Sequence, residues 1–177
     1  MKNLHQTLQT AANIAIIVVA VVLAGVFFTR YFGPASAPPP VAAAGSREIE
    51  EGAKVQLADI DWRGSDKTLV MVLSTTCRYC TASIPFYQKL AQQRSERAGL
   101  KLVAVMPQGI QESREYLSKH GIPVDEVRQA ALDEVNVSGT PTLIEVDRSG
   151  TVVRSWVGKL PPEKESEVIN SVFGPSN

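Results

Sequence analysis

Hydrophobic residues fall along this chain in two regimes. From Ile14 to Phe28 the run IAIIVVAVVLAGVFF contains no polar side chain, and Ala11, Ala12 and Asn13 extend it. At about 1.5 Å per residue, a helix of that length matches the roughly 30 Å hydrocarbon core of a bilayer. Beyond residue 45 the apolar positions come in short bursts instead. LVMVLS (69–74), LKLVAVM (100–106), TLIEV (142–146) and TVVRSWV (151–157) are short and β-branched, as strands are. RYCTASIPFYQKLAQQRSERAG (78–99) and GIQESREYLSKHG (109–121) read as helices stopped by Gly99 and Gly121. PPEKESEVINSVFG (161–174) reads as a third, opened by prolines and closed by Gly174. KVQL (54–57) offers a further edge strand. Strand, helix, strand, helix, a hairpin through DRSG and a last helix predict an α/β domain: a mixed central sheet flanked by helices.

The flanks of the long apolar run decide how it is read. Thr29, Arg30, Tyr31 and Phe32 follow it, an aromatic and cationic edge that suits a spanning helix at the membrane interface. A cleaved signal peptide is the rival, but ASA at 35–37 runs into Pro38, and AAA at 42–44 lies far from the apolar run. The expectation is a single-pass anchor over 11–32 behind a short cytoplasmic N-terminus, 1–10. Lys2 before the helix and Arg30 after it favour the bulk of the chain on the outer, periplasmic side of the inner (cytoplasmic) membrane. GPASAPPPVAAAG, within 33–45, has no charge and reads as a stalk. Residues 46–177 form the domain and carry all 18 acidic residues and every base but Lys2 and Arg30. Charge balances at 18 against 18, with no basic cluster, which removes the electrostatic case for nucleic acid.

Both cysteines of the chain lie in TLVMVLSTTCRYCTASIPF, spaced C-x-x-C where a strand gives way to a helix. Cys77 would face free backbone N–H groups and the positive helix end, which favour its thiolate. Cys80 falls on the same helical face and is placed to resolve a mixed disulfide formed at Cys77. Arg78 adds a cation between them unless it points to solvent. A structural disulfide here would close a tiny loop with little entropic gain. Zinc would need two more ligands, yet the only histidines are His5 and His120. Covalent haem would need His where Thr81 stands. No metal and no cofactor beyond the cysteine pair itself is expected.

Downstream, VSGTPTLIEVDRSGTVVRSWVG (137–158) puts Thr140 and Pro141 just before a strand and a hairpin. A cis peptide there would present the Thr140 backbone to an extended substrate segment. With these residues the chain resembles the thioredoxin-like family over about 53–173. Cys77-Arg78-Tyr79-Cys80 stands as the redox motif, Pro141 as the cis-proline, Pro85 at the kink of the first helix and Gly150 in the hairpin. With the apolar run and stalk it is similar to the tethered TlpA- and ResA-type proteins of bacteria. That resemblance implies a thioredoxin fold and dithiol exchange with protein partners bearing thiols or disulfides, often in apocytochrome or metalloprotein maturation, coupled to a membrane electron donor or acceptor.

Departures from the family pattern touch the proton chemistry. Thr76 replaces the common Trp before the first cysteine, Met71 the buried Asp of thioredoxin, and Ser83 the Glu of the tethered relatives. Glu145, a lone carboxylate in TLIEV, is the candidate replacement, or a charge that reaches solvent. Thr140 and Tyr79 are candidates for substrate contact. Trp62, Trp156 and Met106 are read as packing. Two other functions stay open: a thiol peroxidase using Cys77 with Ser74, although Val70 stands where peroxiredoxins have proline, and a Cu(I) carrier holding the metal between two sulfurs.

Overall fold

The computed structural model describes residue 17 and residues 48–57, 59–96 and 99–174. The chain divides into two units, Met1–Ala44 and Gly45–Asn177, and the fold is that of the second. The expected cytoplasmic segment, anchor and stalk lie outside the described residues, save residue 17. Among the described residues no helix is long and apolar enough to cross a membrane.

The elements are β1 (Lys67–Val72), α1 (Arg78–Ala82), α2 (Ile84–Ser95), β2 (Leu100–Met106), α3 (Ile110–Lys119), β3 (Glu126–Gln129), β4 (Thr142–Asp147), β5 (Val152–Val157) and α4 (Pro162–Phe173). They build one five-stranded sheet in the order β3-β2-β1-β4-β5. β1, β2 and β3 run parallel, β4 antiparallel to β1, and β5 antiparallel to β4. The α/β layering and mixed sheet read from the sequence are therefore present. The expected edge strand at 54–57 shrinks to one bridge, Lys54 with Thr151, because the segment it pairs with turns at Gly150, to whose carbonyl the Val55 N–H still donates at 3.0 Å. The long helix from residue 78 breaks at Ser83, and Pro85 falls in the first turn of α2, where it gives up no helical bond. β3 carries no apolar pattern: within EVRQ only Val127 is buried. It pairs through its backbone with β2 at the sheet edge.

Strand alternation sorts the core onto two faces. Leu69, Met71, Leu73, Leu143 and Trp156 meet the helices through Phe86, Leu90, Leu117, Val168 and Val172. Val70, Val72, Val103, Val105, Ile144 and Val146 point the other way, onto Ile49, Ile60, Val135 and Val137. Covering both faces explains why β1 reads as a continuous apolar run. Trp156 and Met106 are buried, and Trp62 packs against the second cluster, as their packing role requires. An added Cβ at Gly150, φ +76°, would come 3.1 Å from the Trp62 ring, so this turn position needs glycine.

Glu145 is the exception on the helical face. It is 1% exposed, so the carboxylate does not reach solvent. Its Oε1 lies 3.3 Å from Lys67 Nζ, and its Oε2 accepts a hydrogen bond from the Ser171 hydroxyl. Lys67 Nζ also donates to the Ser171 carbonyl at 2.6 Å. The pair thus fastens α4 to the start of β1. Glu145→Ala would leave the Lys67 cation partly buried and unpaired and should lower stability by about 3 kcal/mol in urea; an unchanged midpoint would show that α4 is held without it.

Candidate active site

The sheet topology brings two loops to one edge. β1 ends at Val72, and antiparallel pairing sets Val72 opposite Thr142, the first residue of β4. The chain leaving β1 through Ser74–Cys77 therefore meets the chain entering β4 through Thr140 and Pro141. The Thr140–Pro141 peptide is cis, and Pro141 is buried. The Gly158 N–H donates to the Pro141 carbonyl at 2.8 Å, and the Thr142 hydroxyl to the Gly139 carbonyl at 2.8 Å.

Cys77 occupies the N-cap of α1 with an extended backbone, φ −85° and ψ 111°, and its Sγ accepts the Cys80 N–H at 3.1 Å. A cap oxygen would do the same; here the acceptor is a nucleophilic sulfur. On its other side the Cys77 thiol donates to the Thr140 carbonyl at 3.3 Å. The two cysteines are free thiols with different surroundings, Cys77 partly exposed and Cys80 fully buried. Burial opposes ionisation of Cys77, but hydrogen bonding from Cys80, from the Thr140 side chain and from the backbone N–H groups of Cys80 and Tyr79 outweighs it, and its pKa lies below the ordinary 9.0. For Cys80 burial dominates, its hydrogen bond and charge interaction with Cys77 add to the rise, and the pKa is pushed up to about 12. One sulfur is readied for attack while the other holds its proton.

The remaining sequence candidates divide. Thr140 and Pro141 join Cys77. Arg78 is not among the groups that shift Cys77; its guanidinium lies 4.6 Å from the Tyr79 ring centre and donates to the Tyr79 hydroxyl at 2.7 Å. Tyr79 itself is 46% exposed beside Cys77. Glu145, three residues into β4, sits about 10 Å along the strand from Thr142, and its bonding partners are Lys67 and Ser171. It is a clamp on α4, and the groups that shift the sulfurs do not include it. Ser74 is buried, with its hydroxyl engaged by Gln108 at 3.0 Å and Thr76 at 3.1 Å. Among the described residues no three His, Cys, Asp or Glu side chains cluster to hold a metal.

Four residues that pattern reading passed over belong to this edge. Gln108 holds the Ser74 hydroxyl and accepts the Thr75 N–H at 3.4 Å, and Glu112 accepts the Thr75 hydroxyl at 3.0 Å. Tyr87 and Tyr116 are phenols whose ionisation is opposed by burial first and then, among other groups, by the charges of Cys80 and Cys77. The signal for Gln108 was its place in the turn after β2, at the same sheet end as the cysteine loop.

Residues 54–173 match the family described as thioredoxin-like domain. The chain belongs to the thioredoxin-like family. No curated protein matches it in sequence. Among solved structures, this thioredoxin-like chain is similar to a thiol:disulfide interchange protein of the thioredoxin family from Chlorobium tepidum, with 17% identity, 71% of this chain and 99% of that one covered, and a TM-score of 0.54. A thiol-disulfide isomerase from Corynebacterium glutamicum matches with 16% identity over 75% of this chain and 99% of its own, TM-score 0.53. A thiol:disulfide interchange protein from Bacteroides sp. matches with 16% identity over 75% and 90%, TM-score 0.53. At these identities the likeness is one of fold.

Alkylation of the reduced protein should separate the two thiols. Reaction at Cys77 rises with pH as its thiolate forms, with a midpoint below the ordinary 9.0, while Cys80 stays unmodified through about pH 10. Mass spectrometry of the labelled protein reads both, and equal labelling of the two cysteines would contradict the asymmetry.

Proposed function

We propose that this protein is a membrane-tethered thiol–disulfide oxidoreductase that exchanges electrons with protein cysteines on the periplasmic side of the cytoplasmic membrane, acting as a reductant. The observation that carries the reading is the unequal pair: Cys77 with a stabilised thiolate beside the Thr140 carbonyl, Cys80 buried and protonated one helical turn away. The similar solved structures bear names of the same chemistry, interchange protein and isomerase. Tethering is supported by the apolar run within 11–32 and the Pro/Ala-rich stretch behind it.

In the reducing direction the Cys77 thiolate attacks one sulfur of a substrate disulfide lying against Thr140 and Pro141. A Cys77–substrate disulfide forms, and the other substrate sulfur leaves with the electron pair. Cys80 loses its proton to water and attacks Cys77 Sγ, and the second substrate sulfur departs as a thiolate that takes up a proton from water. The substrate has gained two electrons, and Cys77–Cys80 stands oxidised until a membrane electron donor reduces it. The exposed Tyr79, steadied by Arg78, meets the partner next to the attacking sulfur. The partners are proteins with reducible disulfides, cytochrome or metalloprotein precursors among them.

Replacing the resolving sulfur tests the assignment of roles. The full chain carrying Cys80→Ser should accumulate mixed disulfides through Cys77, visible on non-reducing gels and lost with Cys77→Ser. Full turnover by Cys80→Ser with nothing trapped would refute it.

A further inference from the structure

A chain of hydrogen bonds behind the cysteine loop runs in one direction. Gln108, in the turn after β2, accepts the Thr75 N–H on Oε1 at 3.4 Å, which fixes the orientation of its amide. Its Nε2 therefore donates to the Ser74 hydroxyl at 3.0 Å. The same Ser74 oxygen accepts the Thr76 N–H at 3.3 Å. A hydroxyl oxygen has two lone pairs, and these two donors take both. Ser74 is buried, so its own proton goes to its remaining neighbour, Thr76 Oγ1, at 3.1 Å. The relay is anchored at its inner end, where the fully buried Ser113 donates its hydroxyl to the Gln108 carbonyl at 3.2 Å. Its outer end is exposed at Thr76. The Thr76 hydroxyl proton is thus left for an acceptor from outside, water in the free protein. Cys77 Sγ does not take it, since that sulfur is bonded to the Cys80 N–H and the Thr140 carbonyl.

We propose that Thr76 is a substrate-binding residue whose hydroxyl donates to a backbone carbonyl of the partner protein beside the disulfide that Cys77 attacks. The proposal rests on the exchange function above and adds to it one polar contact of fixed sense. Position comes first: Thr76 directly precedes the attacking cysteine, so a segment that delivers its sulfur to Cys77 lies against this side chain. The direction of the relay then selects an acceptor and rejects an N–H or an ammonium group. Charge narrows the acceptor further. On the next residue the Thr75 hydroxyl donates to the Glu112 carboxylate at 3.0 Å, which makes this part of the rim negative. The Arg78 guanidinium on the other side is held by the Tyr79 hydroxyl. A substrate carboxylate is repelled there, whereas a neutral carbonyl is not. Every residue of a partner carries such a carbonyl, so the contact serves proteins of differing sequence. The proton stays on Thr76 throughout the exchange.

The test mixes the reduced full chain with two oxidants in single turnover: insulin, a protein disulfide, and hydroxyethyl disulfide, which has no carbonyl. Acid quenching and mass spectrometry give the rate at which Cys77–Cys80 forms. Thr76→Val keeps the shape of the side chain and removes the donor. Its rate with insulin should fall by about fivefold, the worth of one neutral hydrogen bond, with the rate toward hydroxyethyl disulfide within about twofold. Thr76→Ser should keep the wild-type insulin rate. Gln108→Glu offers Ser74 an acceptor in place of a donor, which reverses the relay and turns the Thr76 proton inward. Its ratio of insulin rate to hydroxyethyl disulfide rate should fall by a similar factor, whatever the added charge does to Cys77 itself. An unchanged ratio in Thr76→Val or in Gln108→Glu would overturn the proposal. So would a loss in Thr76→Ser equal to that in Thr76→Val, or a wild-type chain oxidised by hydroxyethyl disulfide and not by insulin. If the wild-type chain reacts with neither disulfide, the exchange reading itself fails, and that control tells the two failures apart.

Discussion

The hydrogen bond from the Cys80 N–H to Cys77 Sγ sets what the rest of the structure must provide. For the sulfur to sit in that position Cys77 must cap a helix, so its backbone must be extended and the helix must begin at Arg78. The cap has to follow a strand whose end is fixed, and β1, second to none in burial and flanked by β2 and β4, is that strand. The same turn that exposes Cys77 drives Cys80 into the core, so one local geometry produces two unlike thiols. Lowering the first pKa and raising the second are consequences of a single placement, one sulfur at a helix end and one beneath it.

Two polar clusters sit at opposite ends of the central strands β1 and β4. At the catalytic end Gln108, Ser74, Thr75 and Glu112 tie the cysteine loop to the start of α3. At the other end Glu145, Lys67 and Ser171 tie α4 to the strands. Between them Leu69, Val70, Met71, Leu143 and Ile144 are buried. The Glu145 carboxylate is not among the groups that shift the Cys80 thiol.

Much of this was legible in the chain because the physics is local. The apolar bursts of β1, β2, β4 and β5, the glycine stops, the cysteine spacing and the Thr140–Pro141 step each follow from neighbours in sequence. β3 was hidden because EVRQ has no alternation; its pairing comes from the backbone alone. The split at Ser83 was foreshadowed by Pro85, yet helical pattern continues through it. Glu145 stood out as a lone carboxylate in an apolar strand, but the strand alone left open whether it reached solvent; its partners come from β1 and from α4, 26 residues later for Ser171, so its burial and its role as a clamp belonged to the tertiary structure. Gln108 lies about thirty residues beyond the cysteines and reaches their loop, through Ser74 and Thr75, only once β2 is packed.

The measurement that bears most directly on the account is the reduction potential of the Cys77–Cys80 couple in the full chain, equilibrated in glutathione or dithiothreitol buffers. Strong oxidants of this chemistry owe their power to a reduced form stabilised by a low-pKa thiolate, so the reading as a reductant requires that the Cys77 thiolate, whose pKa lies below the ordinary 9.0, stabilise the dithiol form only modestly. The account predicts a single two-electron transition near or below roughly −230 mV. A value near about −120 mV, or the absence of a Cys77–Cys80 disulfide at any poise, would contradict it.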